Sequence, residues 1–125
     1  MAKAKITDDP CPFGPVMDIL FARWTSHILW ALTEHGRLRF SELRALLPGV
    51  TPKVLTERLR KLERDGLVTR TYHAEVPPRV EYEATELAAT LEPVLLQLTD
   101  WAARHLPEVR SAQRRYDDAG EPSRQ

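Results

Sequence analysis

The residues in this sequence that could do chemistry together are cations on one face of a helix. Between Thr51 and Gly66 the chain reads TPKVLTERLRKLERDG. At helical spacing Leu55, Leu59 and Leu62 form one stripe, and Lys53, Glu57, Arg60 and Arg64 lie opposite it, with Thr56 and Lys61 on the flanks. A helix packed along one stripe and mainly basic along the other is shaped to enter a DNA major groove, where Arg and Lys reach phosphates or guanine edges. Lys53, Thr56 and Arg60 are the candidates for base edges, and Lys61 and Arg64 for phosphates. Thr51 and Pro52 open the helix, where free backbone amides can receive a phosphate. Arg58 falls beside the apolar stripe and reads as a structural ion-pair partner. The same pattern also fits a solvated, charged helix face.

Such a face works only if it is aimed, and the neighbouring stretches supply the frame. Thr51 can cap the helix, Pro52 suits its first position, and Gly66 can end it with Leu67 folding back on Leu62. Upstream, Ser41 reads as the cap of a shorter helix, with Phe40 as its hydrophobic staple and Leu43, Leu46 and Leu47 facing inward. Pro48-Gly49 is a turn signal. Two helices joined this tightly make a helix-turn-helix whose second member reads DNA. Downstream, Leu67 to Tyr72 and Val80 to Thr85 are rich in β-branched and aromatic residues and flank a proline-bearing turn, so they predict a hairpin. Pro77, Pro78 and Arg79 form its tip. Arg79 is expected at phosphates or in the neighbouring minor groove, with Arg70 beside it on the wing. Residues 37–40 offer a third strand. The fold class expected is mainly α (α+β): a winged helix-turn-helix with a two- or three-stranded wing sheet and N- and C-terminal helices for dimerisation.

The flanks read as follows. Residues 1–10 form a flexible polar arm. Cys11 to Pro15 (CPFGP) is expected to be a stiff, non-helical lead-in to a first helix carrying Val16, Ile19 and Leu20. A second helix runs from about Thr25 to His35 with Ile28, Leu29 and Leu32 inward and Gly36 as its stop. Trp24 and Trp30 bracket it among aliphatic neighbours, which favours packing over stacking on bases. The working domain is expected over residues 11–106, closing with a helix over 86–106. There Leu87, Leu91, Val94, Leu98, Trp101 and His105 alternate at spacings of four and three, widened by Leu95 and Ala102, the seam of a contact with a second copy. Pro93 either kinks this helix or marks its start near Glu92. Residues 107–125 are a tail with a short helix through Tyr116.

Composition narrows the classes. The chain has 125 residues, 42% of them hydrophobic and 29% charged, as expected of one soluble domain, with Lys+Arg and Asp+Glu equal at 18 each. The charge is unevenly placed: residues 37–79 hold ten Lys/Arg against five Asp/Glu. A molecule polarised in this way meets DNA with one face, and its grip weakens with salt. The absence of an apolar run long enough for a membrane and of a signal segment, together with a single cysteine, suggests the cytoplasm. His27, His35, His73 and His105 have no metal-ligand spacing, and no phosphate loop, nucleophile elbow or carboxylate pair points to catalysis, so neither a cofactor nor an enzyme activity is expected. The rival is a winged-helix module whose recognition helix meets protein instead of DNA.

With these pieces in order, the chain resembles the HxlR family of bacterial winged helix-turn-helix transcriptional regulators. The matching residues are Cys11-Pro12, Arg23-Trp24-Thr25, Ile28-Leu29, Arg39-Phe40-Ser41-Glu42-Leu43 and Pro48-Gly49-Val50-Thr51. They continue through Leu55-Thr56, Leu59, Leu62-Glu63, Asp65-Gly66-Leu67-Val68 and Arg70, and the most specific run is Val76-Pro77-Pro78-Arg79-Val80-Glu81-Tyr82. The chain departs from the family at Phe21-Ala22-Arg23, at Ala84 and at the residues after Thr85. The resemblance implies a homodimer on a short, roughly palindromic operator in double-stranded DNA, usually as a repressor and sometimes as an activator. It also makes Cys11 a candidate sensor, because some members respond to electrophiles or oxidants through a cysteine there. Asp8 and Asp9 precede it, and nearby carboxylates disfavour a reactive thiolate. An inert cysteine is the alternative.

Overall fold

Leucines at helical spacing bring most of the chain together around one core. The computed structural model describes residues 10–120, so the arm expected over 1–10 falls, apart from Pro10, outside the described residues, as do Asp8 and Asp9. The chain divides into two units, Met1–Ala89 and Thr90–Gln125. Among the described residues the second unit is built on one long helix.

In the first unit α1 (Gly14–Leu20), α2 (Thr25–His35), α3 (Phe40–Leu46) and α4 (Pro52–Arg64) precede a three-stranded antiparallel sheet. That sheet joins β1 (Leu38–Arg39), β2 (Val68–His73) and β3 (Arg79–Ala84) in the order β1-β3-β2. The short stretch before Phe40 does pair as a third strand, Leu38 opposite Tyr82 and Arg39 opposite Glu81. The core takes Ile28, Leu29, Ala31 and Leu32 from α2, Leu43 from α3, Leu55, Leu59 and Leu62 from α4, and Val68 from β2. Burying seven large side chains almost completely, at about 1.5–3 kcal/mol each, is the main force that fixes α4's orientation.

Two local expectations change. Pro15 stands in the first turn of α1, whose first residue is Gly14. A proline there gives up an amide that has no helical partner in any case, so the lead-in is partly helical. In α3 the cap is Arg39 and not Ser41: Phe40 is already helical, and the Glu42 carboxylate accepts from the Arg39 backbone N–H at 2.8 Å. An acid at the third helical position does the capping from inside, which leaves the Ser41 hydroxyl without that task.

After the sheet, α5 (Glu86–Ala89) is a single turn. Thr85 caps it by accepting from Ala88 N–H at 3.2 Å, and its hydroxyl donates to the Gly66 carbonyl at 2.8 Å. The second unit is α6 (Glu92–Asp118), with Pro93 in its first turn. The helix expected over 86–106 is therefore two helices. Pro93 starts the second one, and the stretch expected as a separate tail continues it for more than two turns past Pro107. Pro107 is tolerated inside because the residues on both sides keep helical spacing and the loss is one backbone hydrogen bond.

Candidate nucleic-acid interface

Both ends of α4 are built as the sequence implies. Thr51 Oγ1 accepts from the Val54 N–H at 3.2 Å. At the other end Gly66 takes a left-handed φ of 79°, the Leu67 N–H reaches the Leu62 carbonyl at 2.9 Å, and the Gly66 N–H reaches Glu63 at 3.1 Å. These two bonds are a Schellman stop. With Leu55, Leu59 and Leu62 buried, Lys53, Glu57, Arg60 and Arg64 are held outward and exposed. The Lys53, Arg60 and Arg64 side chains make no hydrogen bond or ion pair among the described residues, and all three remain available to an outside anion.

The other cations of α4 and the wing are engaged. Lys61 pairs with Asp65 at 2.6 Å, one turn along the same helix. Arg70, on β2, lies 3.7 Å from Glu63 and links the wing to α4. Arg79 is the first residue of β3, opposite His73, and does not stand at the tip. Its guanidinium reaches Glu75 at 3.3 Å and Glu81 at 4.0 Å, and its Nε is buried without a hydrogen bond. Glu81 also lies 2.7 Å from His73 and 3.9 Å from Arg37. The wing therefore carries a paired charge network on one face, and its tip is the fully exposed Val76. Strand alternation explains the shift: the register that sends Val80, Tyr82 and Ala84 one way sends Arg79, Glu81 and Glu83 the other. Tyr82 is half-buried, and desolvation pushes its phenol above the ordinary value of 10.0; Glu63 adds to this, while Arg70 and Arg60 oppose it.

Thr56 and Arg58 turn inward in their bonding. The Thr56 hydroxyl donates to the Pro52 carbonyl at 2.8 Å, which leaves its methyl and its acceptor lone pairs for a base. Arg58, expected to pair with an acid, instead donates from Nε to the backbone carbonyl of Arg23 at 2.8 Å. That carbonyl precedes Trp24, a left-handed residue (φ 78°) with the Arg23 guanidinium 5.3 Å above its ring. A Cβ on Gly49 would touch the same ring at 3.8 Å. Trp24 thus stands against the turn between α3 and α4, and Arg58 ties α4 to its base. Sequence spacing placed Trp24 in packing, but a bond to a main-chain carbonyl carries no sequence signal.

Two residues on the open surface were given no role by the spacing. Glu57 lies amid the cations of α4, and Arg44 is exposed on α3. The expected dimer residues Leu87, Val94, Leu98 and Trp101 are about half exposed, and Leu91 is partly buried. Cys11 is exposed, three residues before α1.

A family model described as HxlR-like helix-turn-helix matches residues 19–110. The chain belongs to the HxlR family. HTH-type transcriptional regulator YdeP of Bacillus subtilis is 41% identical over 99 residues, which cover 79% of this chain and 77% of YdeP. Among solved structures, the HTH-type regulator ytcD aligns with a TM-score of 0.71 at 41% identity, covering 75% of this chain and 95% of its own. The redox regulator HypR in its reduced form aligns at 0.73 and 36% identity, covering 81% and 99%. As an HxlR member the chain is a transcriptional regulator of helix-turn-helix type with a winged-helix fold, a class of regulators and not of enzymes. No helix among the described residues is long and apolar enough to cross a membrane.

Proposed function

We propose that this HxlR-family chain binds double-stranded DNA as a homodimer, reads a palindromic operator through α4, and acts as a repressor. The observation that carries the DNA part is the set of Lys53, Arg60 and Arg64, exposed and unpaired on the outward face of a helix whose other face is buried. Lys53, Thr56 and Arg60 read bases; Arg64, with Lys61 when Asp65 releases it, holds phosphates; Thr51 and Pro52 present the helix N-terminus to the backbone. Arg70 and Arg79 are wing contacts that become available only as their acids let go. Glu57 selects by accepting from cytosine and repelling misplaced phosphates. Leu87, Leu91, Val94, Leu98 and Trp101 form the dimer contact. The half-exposed apolar side chains along α6 support this, as no residue of that helix is buried in one chain.

Selection of bound sites from random duplexes tests the reading in one step: an inverted repeat with half-sites about one helical turn apart is expected. With Arg64 and Lys61 on phosphates in each protomer, the logarithmic salt slope of the dimer should be about −4. Arg60→Ala should relax preference at one base pair of each half-site, by roughly 1–3 kcal/mol. An Arg60→Ala chain with unchanged affinity and base preference overturns the assignment of α4. Cys11 is proposed as an oxidant contact on its exposure and on the likeness to HypR, a redox regulator. Diamide that changes neither operator affinity nor gel mobility removes that part alone.

A further inference from the structure

We propose that α6 pairs antiparallel with α6 of a second copy about a twofold axis at His105; this names the register of the homodimer put forward above and rests on it. The stripe of Val94, Leu98, Trp101, His105, Val109, Ala112 and Tyr116 has spacings of 4, 3, 4, 4, 3 and 4. That series reads the same in both directions, with His105 at its centre. At about 100° per residue the seven positions lie within a strip about 80° wide, and their repeat of eleven keeps the strip straight along the helix. Val94, Leu98, Trp101, Val109 and Tyr116 are 37–51% exposed. Reversing the helix about His105 sets Trp101 against Val109 of the second copy, Leu98 against Ala112 and Val94 against Tyr116. Large side chains then meet smaller ones along the whole seam.

The flanks choose the direction. On one side of the strip lie Leu95, Ala102 and Leu106, and on the other Gln97, Arg104, Glu108 and Arg115. A parallel pair would lay the charged flank of one helix on the apolar flank of the other. An antiparallel pair lays charged on charged and apolar on apolar. About His105 it brings Arg104 of one copy within two residues, about 3 Å along the axis, of Glu108 of the other, twice by symmetry. Arg104 already pairs with Asp100 one turn back, whereas Glu108 makes no ion pair among the described residues. Pro107 projects from the far side of the helix and leaves the seam intact. Ala112 and Tyr116 lie beyond the residues that the family model matches, so this pairing is longer than the shared domain requires.

The test uses the full chain with Cys11→Ser, so that an introduced thiol is the sole one. His105→Cys should be joined to its copy by a short bifunctional maleimide, and Leu96→Cys, on the far face, should not. Glu108→Arg should raise the dimer dissociation constant about tenfold, and adding Arg104→Glu should restore it. Sedimentation of each variant gives the assembly state. A dimer that does not crosslink at residue 105, or that is indifferent to Glu108→Arg, overturns the register and leaves the dimer standing. A chain that sediments as a monomer at all concentrations overturns both.

Discussion

Replacing Arg58 by Met separates aiming the recognition helix from touching DNA. The guanidinium makes one bond, Nε to the Arg23 carbonyl at 2.8 Å, and sits beside the buried leucines and away from Lys53, Arg60 and Arg64. A hydrogen bond with a charged donor contributes roughly 1.5–3 kcal/mol; at this partly exposed position the lower end, about 1.5 kcal/mol, is appropriate. For a domain of this size that corresponds to a melting temperature lower by about 6–12 °C. Methionine keeps the aliphatic packing, so the loss reports on the bond. Operator affinity should fall, because α4 is no longer fixed against the base of Trp24. The salt slope should stay as it was, because no phosphate contact has gone. Binding isotherms at several salt concentrations, run well below the melting transition, give both quantities. A slope reduced by about one per protomer would make Arg58 a phosphate contact, and an unchanged melting temperature would show that the tie stabilises nothing.

Three further outcomes follow from the same geometry. Thr51→Ala removes the acceptor for Val54 N–H and should cost about 1 kcal/mol, seen as a lower urea midpoint with an unchanged m-value. Glu75→Gln releases Arg79 from its 3.3 Å partner; since both are partly exposed, affinity for DNA should rise by no more than about fivefold, and the gain should vanish in an Arg79→Ala background. Tyr82 has its folded value raised above 10.0 by burial, so the neutral phenol favours the folded state. That stability is intact below the ordinary value and declines as pH climbs through and beyond it. Tyr82→Phe should flatten the fall in urea midpoint above about pH 10, and an unaltered pH profile would remove burial as the cause.

What the sequence shows and hides divides along physical lines. The limits of α4 were legible because Thr51, Pro52 and Gly66 each act locally, through one cap, one fixed φ and one left-handed residue. Its inward and outward faces were legible because burial follows periodicity. The α3 cap was not, since a glutamate at the third position and a serine at the second make competing proposals that only the backbone entry angle decides. The long helix was cut at the wrong places for a related reason: Pro93 and Pro107 look alike in sequence, and one begins α6 while the other rides inside it. Arg79 is the instructive miss. Its place after two prolines suggested a projecting cation, yet whether it projects depends on the hairpin register, and that register turns it toward Glu75 and Glu81.

The pairing of charges explains how a chain of zero net charge can present a basic surface. Acids compensate the wing and the margins of the helix: Glu63 answers Arg70, Asp65 answers Lys61, Glu75 and Glu81 answer Arg79, and Glu81 and Glu83 answer Arg37. Lys53, Arg60 and Arg64 stay uncompensated in the middle, with Glu57 among them. The open cations of α4 are thereby gathered on its outward face, with Arg44 of α3 also exposed. Each wing contact to phosphate would first have to break an ion pair whose partner stays nearby, so it adds less affinity than an open cation does. On the proposed reading, discrimination between sequences would be concentrated in a few residues of α4, and the wing would mainly set how closely the backbone can approach.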